Sequence, residues 1–120
     1  MSRVLVVDDE PDIRLLMRVT LQTAGHTVLE AGDGQAALES IRSDSFDLVL
    51  LDLRMPIVDG WAVLASLSEE GRTPDLPVIA ISAHADPEMM QRALECGCRA
   101  YLSKPFKPDA LRQVVDSTLG

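Results

Sequence analysis

The apolar positions of the chain fall into five short runs that are separated by longer amphipathic stretches. Each run has the length of a β-strand, and most runs are apolar at successive positions, which is typical of parallel strands buried on both faces. The predicted strands are Val4–Val7, Thr27–Leu29, Leu48–Leu51, Val78–Ile81 and Ala100–Leu102.

Helical periodicity and helix-end residues mark the stretches that follow the runs. In the first stretch, apolar residues recur at three- and four-residue steps from Ile13 to Ala24, with Pro11 suited to a first helical turn and Gly25 to a helix end. The remaining predicted helices are Gly34–Arg42 with Asp33 as its cap and Ala37, Leu38 and Ile41 inward, Gly60 to Gly71 with Ala62, Val63 and Leu67, Pro87 to Gly97 with Asp86 as its cap, and a last helix from Pro108 with Leu111, Val114, Val115 and Thr118 inward.

Five strands alternating with five helices predict an α/β fold with a parallel sheet between helix layers. Because crossovers are right-handed, few chain paths remain, and we expect the flavodoxin-like (βα)5 three-layer sandwich with strand order 2-1-3-4-5. The length of 120 residues predicts one domain over 1–120. Hydrophobic residues make up 47% and aromatic residues only 3%, so the core must be mainly aliphatic.

Charged and polar side chains follow four of the predicted strands. Asp8-Asp9-Glu10 follows the first strand, Asp52 the third, Ser82 the fourth, and Lys104 comes shortly after the fifth. In the expected strand order these ends are neighbours, and ligands of such sheets bind outside the carboxyl ends of the strands. The sequence therefore predicts one shallow site that gathers carboxylates, a hydroxyl and an ammonium group.

Carboxylates gathered so closely repel one another. Two like charges ~4 Å apart at an effective dielectric near 20 cost on the order of 4 kcal/mol, so a proton or a cation must join them. Oxygen ligands favour Mg²⁺, Ca²⁺ or Mn²⁺, and the few ligands on offer suit a hydrated Mg²⁺ better than a Ca²⁺ cage. Mg²⁺ beside Lys104 would suit a phosphoryl group, for which Asp52 would be the nucleophile.

Each of these residues has a purely structural explanation when it is taken alone. Asp8-Asp9-Glu10 could cap a helix, Asp52 could be an idle strand-end carboxylate, Ser82 a turn hydroxyl and Lys104 a solvated surface lysine. All four explanations would have to hold at adjacent strand ends, so a shared site is favoured.

The net charge of −8 disfavours direct binding to nucleic acid or to an anionic membrane surface, because both carry charge of the same sign. No apolar run approaches the about 20 residues of a membrane span, and no signal peptide precedes the first predicted strand. Cys96 and Cys98 lack the spacing of a zinc site, so we expect reduced thiols and a cytoplasmic protein.

Four segments at the predicted strand ends resemble the receiver domain of two-component response regulators: Val6–Pro11, Asp52–Gly60, Ile81–Ala83 and Lys104–Phe106. The resemblance covers essentially the whole chain. It implies a Mg²⁺-dependent switch, rather than a turnover enzyme, that accepts a phosphoryl group from a sensor histidine kinase or a histidine phosphotransfer protein. The other implied partners are a downstream effector or output domain and, on phosphorylation, a second copy of the chain.

The resemblance also assigns roles to individual residues. Asp52 matches the phosphorylated aspartate, Lys104 the phosphate-contacting lysine, and Ser82 the switch hydroxyl that moves toward the phosphoryl group. Asp9 matches the direct metal ligand, and Asp8 the acidic neighbour that binds the metal through water.

Further matches concern the metal shell and the switch. Arg54 matches the residue whose backbone carbonyl completes the metal shell, and Ala83 the small residue that leaves room for the phosphoryl group. Tyr101 matches the aromatic residue that turns inward, although a half-buried strand tyrosine is the alternative, and Lys104-Pro105 resembles the family's cis peptide. The surface expected to change comprises the fourth helix, the fifth strand and the fifth helix, with the candidate charges Arg92, Arg99, Lys107 and Arg112.

Three other functions suit a chain of this pattern less well. A flavodoxin-like FMN carrier would need a phosphate loop after the first strand, where acidic residues stand instead. A metal-dependent aspartyl-phosphatase would place two aspartates one residue apart, whereas Asp8 and Asp9 are adjacent, and 120 residues leave no room for a substrate-selecting cap. A phosphorylation-independent receiver-like scaffold is disfavoured because Asp8, Asp9, Asp52, Ser82 and Lys104 are all present.

Arg54 and His84 occupy positions that vary in the family and tune the lifetime of the phosphoryl group. Both side chains are bulky and polar, so we expect them to shield or reorient the attacking water. Replacing both by alanine is expected to change the rate at which phosphate is lost, measured as the decay of phosphorylated protein with time. An unchanged lifetime would remove this role.

Overall fold

The computed structural model describes residues 2–73, 75–83 and 86–120, and within these ranges five strands alternate with five helices. The strands form one parallel sheet in the order β2-β1-β3-β4-β5, which confirms the predicted flavodoxin-like order. In chain order the elements are β1 Arg3–Val7, α1 Pro11–Thr23, β2 Thr27–Ala31, α2 Gly34–Ser43, β3 Leu48–Asp52, α3 Gly60–Glu69, β4 Val78–Ser82, α4 Pro87–Glu95, β5 Ala100–Ser103 and α5 Pro108–Leu119.

Every predicted strand is present, and the observed strands extend one or two residues beyond the apolar runs. β3 ends at Asp52 and β4 at Ser82, because Asp52 pairs with Ile81 and Ser82 pairs with Ser103 in the parallel ladders. The backbones of these two polar residues are therefore held by the sheet and not by a loop.

The sheet carries one apolar cluster on each face. β3 and β4 are buried at all five positions, as expected for central parallel strands. Alternate residues of β1 point to opposite faces: Leu5 and Val7 pack with α2 and α3, whereas Val4 and Val6 pack with α1 and α5. This packing gives the predicted three-layer sandwich. None of the helices in the described part of the chain is both long and apolar enough to cross a bilayer.

Side-chain caps explain where three of the five helices begin. Asp33, Asp59 and Asp86 each accept a hydrogen bond from the backbone N–H three residues ahead, which satisfies one unpaired donor of α2, α3 and α4. Ala24, expected on the apolar face of the first helix, is exposed because α1 ends at Thr23.

The start of α3 presses directly on the end of β3 at Gly60. A Cβ atom at this glycine would lie 2.4 Å from the carbonyl oxygen of Asp52 and 2.6 Å from the Cα of Leu53. The Gly60 N–H also donates to the Leu53 carbonyl at 3.2 Å. Such a close approach of two backbones needs a residue without a side chain.

Replacing Gly60 by alanine is expected to lower the free energy of unfolding by about 3 kcal/mol, because the atoms that the new methyl group meets are backbone and cannot yield. Urea denaturation followed by circular dichroism measures the change.

Gly32→Ala is the matched control, since a Cβ atom there would meet only the flexible guanidinium of Arg14 at 3.1 Å. The expected loss is less than about 1 kcal/mol. Equal losses in the two variants would contradict the role of the close approach at Gly60.

Candidate functional site

Side chains from three separate segments meet around the side chain of Lys104 at the carboxyl end of the sheet. The ammonium nitrogen of this lysine lies 2.8 Å from Asp8 Oδ2, 3.2 Å from Asp52 Oδ2 and 3.4 Å from Glu10 Oε1. Asp52 is the last residue of β3, whereas the other residues follow β1 and β5, and these segments are separated by dozens of positions in the chain. The structure thus brings together four of the side chains that the sequence predicts at neighbouring strand ends: Asp8, Glu10, Asp52 and Lys104.

The site has a buried floor and a solvent-exposed rim. Asp8 is 0% exposed and Asp52 is 3% exposed, and the Lys104 side chain is exposed by only 13%. Asp9 and Glu10 are exposed, and Glu10 retains 60% of its side-chain exposure. A single ammonium group therefore contacts two buried carboxylates and one exposed carboxylate, with Asp9 beside Asp8 and Glu10, and the site remains negative overall.

The two buried aspartates are oriented by the same local device. Asp8 Oδ1 accepts a hydrogen bond from the Glu10 N–H at 2.9 Å, and Asp52 Oδ1 accepts one from the Arg54 N–H at 3.0 Å. Each bond reaches two residues ahead, which is the pattern of an Asx-turn. Because one oxygen of each carboxylate is used in this way, the other oxygen is turned toward Lys104.

Burial and the Asp52–Lys104 contact shift the pKa values of these two residues in opposite directions. Burial raises the pKa of Asp52 to about 6, with help from the neighbouring Asp8 carboxylate and against the Arg54 N–H and the Lys104 charge, which lower it. For Lys104, burial lowers the pKa, but the hydrogen bonds and charges of Asp8 and Asp52 outweigh burial and raise it above its usual range. Lys104 is therefore a permanent cation at neutral pH.

The acidic residues after β1 fit a hard divalent cation. Asp8, Asp9 and Glu10 each offer a carboxylate oxygen, and these oxygens all lie within 4.8 Å of one another. Asp52, at the end of β3, contacts the same Lys104 ammonium as Asp8 and Glu10. An all-oxygen, negatively charged donor set is what Mg²⁺ prefers in proteins.

Glu10 was predicted as part of the acidic cluster but was given no role of its own. Its carboxylate is the third in the acidic group and reaches Lys104, although the predicted metal ligands were Asp8, Asp9, Asp52 and the Arg54 carbonyl. The signal for it is its position directly after the aspartate pair, on the same turn.

The structure also positions the other residues of the predicted site. Ser82 is 1% exposed at the end of β4, and its carbonyl accepts from the Lys104 N–H at 2.8 Å. Tyr101 is half-buried on β5 and packs against the cluster beneath α2 and α3. Arg54 is exposed beside Asp52. The functional roles of these side chains stay predictions.

Two further expectations concern the loops next to the site. The Lys104-Pro105 peptide is cis, as expected. His84, predicted to tune the phosphoryl lifetime together with Arg54, lies outside the described residues.

Replacing Asp52 by asparagine is expected to stabilise the metal-free protein at pH 7.5. The folded-state pKa near 6 exceeds the unfolded value of 3.8, so the wild type loses stability as pH rises from about 4 through 6. A shift of about two units corresponds to roughly 3 kcal/mol, so a gain of about 1–3 kcal/mol is expected for the variant. Urea unfolding in the presence of a chelator measures this gain, which should shrink toward pH 4.

Asp116→Asn is the control, because it removes the same formal charge from an exposed position on α5. The control is expected to stay within about 0.5 kcal/mol of the wild type at both pH values. A gain for Asp52→Asn that is equally large at pH 4 would contradict the proposed origin in a buried, ionised carboxylate.

Comparisons with known sequences agree with this geometry. A family model of the response regulator receiver domain matches residues 4–116. The probable transcriptional regulator ycf27 of Porphyridium aerugineum is 37% identical over 98% of this chain and 48% of its own length. The sensor histidine kinase GacS of Pseudomonas protegens is 40% identical over 94% of this chain and 13% of its own length. The chain thus spans about half or less of the length of these curated relatives.

Solved structures give the same result. The chemotaxis response regulator CheY4 of Vibrio cholerae superposes with a TM-score of 0.93 at 30% identity, over 98% of both chains. The receiver domain of the Francisella response regulator 1452 superposes with a TM-score of 0.93 at 31% identity, over 99% of this chain and 97% of its own. With a family model that matches nearly its whole length, the chain belongs to the response regulator receiver domain family.

Proposed function

We propose that residues 1–120 form one phospho-acceptor domain, in which Asp52 takes a phosphoryl group from a phosphohistidine of a sensor histidine kinase or a histidine phosphotransfer protein. The observation that carries this proposal is the orientation of Asp52. Its carboxylate is buried and held by the Arg54 N–H through one oxygen, and its other oxygen faces Lys104 at 3.2 Å.

In the proposed reaction, Asp52 Oδ2 attacks phosphorus and forms the new P–O bond of an acyl phosphate. The P–N bond of the donor breaks, and its electron pair stays on the imidazole nitrogen, which then takes up a proton. The pKa of about 6 leaves the attacking carboxylate mostly ionised above pH 7. Lys104 is close enough to exchange its contact with Asp52 for a contact with a phosphoryl oxygen, so the charge on that oxygen is met by a preorganised cation.

The metal in this proposal is Mg²⁺, held by Asp9 and Asp52, by Asp8 through water and by the Arg54 carbonyl. Bound there, the ion would offset the charge of the carboxylates and of the phosphoryl oxygens. The 4.8 Å grouping of the Asp8, Asp9 and Glu10 oxygens supports this ligand set and adds Glu10 as a neighbour at the rim.

Phosphorylation would act on the α4–β5–α5 surface through Ser82 and Tyr101. The Ser82 hydroxyl would move toward the phosphoryl group, with Ala83 leaving room, and Tyr101 would turn into the space behind it. The backbone bond from the Lys104 N–H to the Ser82 carbonyl links the two strand ends that must respond together. The phosphoryl group then shifts an existing equilibrium between two conformations.

The α4–β5–α5 surface has both apolar and charged features on which a partner could dock. Met90 and Leu94 of α4 are exposed large apolar residues. Arg92 stacks on the Trp61 ring at 4.1 Å, and Arg112 pairs with Asp109 on α5. These features support an effector, an output domain or a second copy of the chain as the partner. The domain would act as a switch in the cytoplasm, and its net charge of −8 disfavours direct contact with nucleic acid or membrane.

The proposal predicts that acetyl phosphate, a small phosphoryl donor, adds one phosphoryl group to the wild type in the presence of Mg²⁺. Asp52→Asn should take up none, because its amide is not a nucleophile. Mass spectrometry of the intact protein measures the outcome, and removal of Mg²⁺ by a chelator should suppress labelling of the wild type.

Asp116→Asn serves as the matched control and should label like the wild type. Labelling that persists in Asp52→Asn would place the acceptor elsewhere. Absence of labelling in the wild type would favour a phosphorylation-independent scaffold.

A further inference from the structure

Arg14 contacts the acidic site from the side of the molecule that faces β2. Its Nη1 donates to the backbone carbonyl of Asp8 at 2.6 Å, and its Nε donates to Glu30 Oε1 at 3.2 Å. Only 20% of the Arg14 side chain is exposed. A Cβ atom at Gly32 would lie 3.1 Å from Nη1, so the guanidinium fills the room that this glycine leaves at the end of β2.

The carbonyl held by Arg14 belongs to the peptide that joins Asp8 to Asp9. The carbonyl oxygen of Asp8 and the N and Cα atoms of Asp9 lie in one rigid plane. Holding that oxygen therefore fixes the point from which the Asp9 side chain projects at the exposed rim. On the other side, the Asp8 N–H is held by the Ala31 carbonyl at 3.2 Å.

Arg14 forms an ion pair with Glu30. The same glutamate accepts a second hydrogen bond from Arg18 Nη1 at 2.6 Å. Because the two arginines share one carboxylate, removing either one lowers the charge of this group equally, whereas Arg14 also donates a hydrogen bond to the Asp8 carbonyl. Arg18 also pairs with Glu30 and lies one turn further along α1. Replacing Arg18 therefore tests the effect of losing one positive charge while the hydrogen bond from Arg14 to the Asp8 carbonyl is kept.

We propose that Arg14 is a positioning residue that sets the affinity of the site for a divalent cation by orienting the Asp8–Asp9 peptide. The inference rests on the proposed function, because it assumes that Asp9 binds the cation directly. Groups that orient metal ligands in this way typically change metal affinity 10- to 100-fold when they are removed.

Mn²⁺ is a suitable probe, because electron paramagnetic resonance counts the free ion and reports binding without any enzymatic step. Arg14→Met is expected to raise the dissociation constant about 10-fold, and Arg14→Lys, which keeps one donor, should give an intermediate value. Arg18→Met removes the same charge and is expected to stay within about two-fold of the wild type.

A second readout separates positioning from a general loss of structure. In labelling by acetyl phosphate, the Mn²⁺ concentration for half-maximal rate should rise in Arg14→Met, whereas the rate at saturating Mn²⁺ should stay within about two-fold of the wild type. Urea unfolding identifies any variant that is not folded, and Arg14→Lys decides the matter if Arg14→Met fails to fold.

Two results would overturn the inference alone: wild-type affinity in both Arg14 variants, or an equal loss of affinity in Arg14→Met and Arg18→Met. A wild type that binds no Mn²⁺ would overturn the proposed metal site itself, and this inference with it.

Discussion

Repulsion among carboxylates that cannot move apart is the constraint on which the site depends. Asp8 and Asp52 are both buried, and their backbones are held by the bond from the Asp8 N–H to the Ala31 carbonyl and by the pairing of Asp52 with Ile81. Buried charges persist only when they are paired and hydrogen-bonded. Lys104 supplies one positive charge to both aspartates, and backbone N–H groups satisfy one oxygen of each. The negative charge that remains favours a divalent cation, which in the proposed function would in turn offset the charge of a phosphoryl group.

The fold keeps this unfavourable arrangement in place through its apolar interior. β3 and β4 are buried along their whole length between the two helix layers, so the strand ends cannot separate without breaking the core. Asx-turns at Asp8 and Asp52 then aim the free oxygens inward. The scaffold thus buries Asp52, which raises the pKa of this carboxyl group. It also fixes which groups contact the carboxylate, namely the Arg54 N–H and the Lys104 ammonium.

The same rigid connections link the site to the rest of the domain. Gly60 brings the first turn of α3 into contact with the Asp52 backbone, and the Lys104 N–H bonds to the Ser82 carbonyl across β4 and β5. Arg14 ties the Asp8 carbonyl to the end of β2. The proposed phosphorylation of Asp52 would therefore act on several elements that have little freedom to respond separately.

Local sequence patterns predicted all five strands and all five helices. Apolar runs gave the strands, and prolines, aspartates and glycines gave the helix ends, because these signals act within a few residues. The apolar pattern placed strand ends one or two residues early, because Asp52 and Ser82 are polar and only the sheet register shows that they belong to the ladders. Ala24 was misplaced because periodicity does not mark the end of α1 at Thr23.

The candidate site was likewise predicted from the sequence only in part. The sequence predicted the identity of Asp8, Asp9, Asp52, Ser82 and Lys104 and their places at neighbouring strand ends, since right-handed crossovers leave few strand orders for an alternating α/β pattern. It did not predict the side-chain partners. That Glu10 reaches Lys104, that burial raises the pKa of Asp52 and that Arg14 holds the Asp8 carbonyl depend on distances between residues far apart in the chain, and only the packed tertiary structure sets those distances.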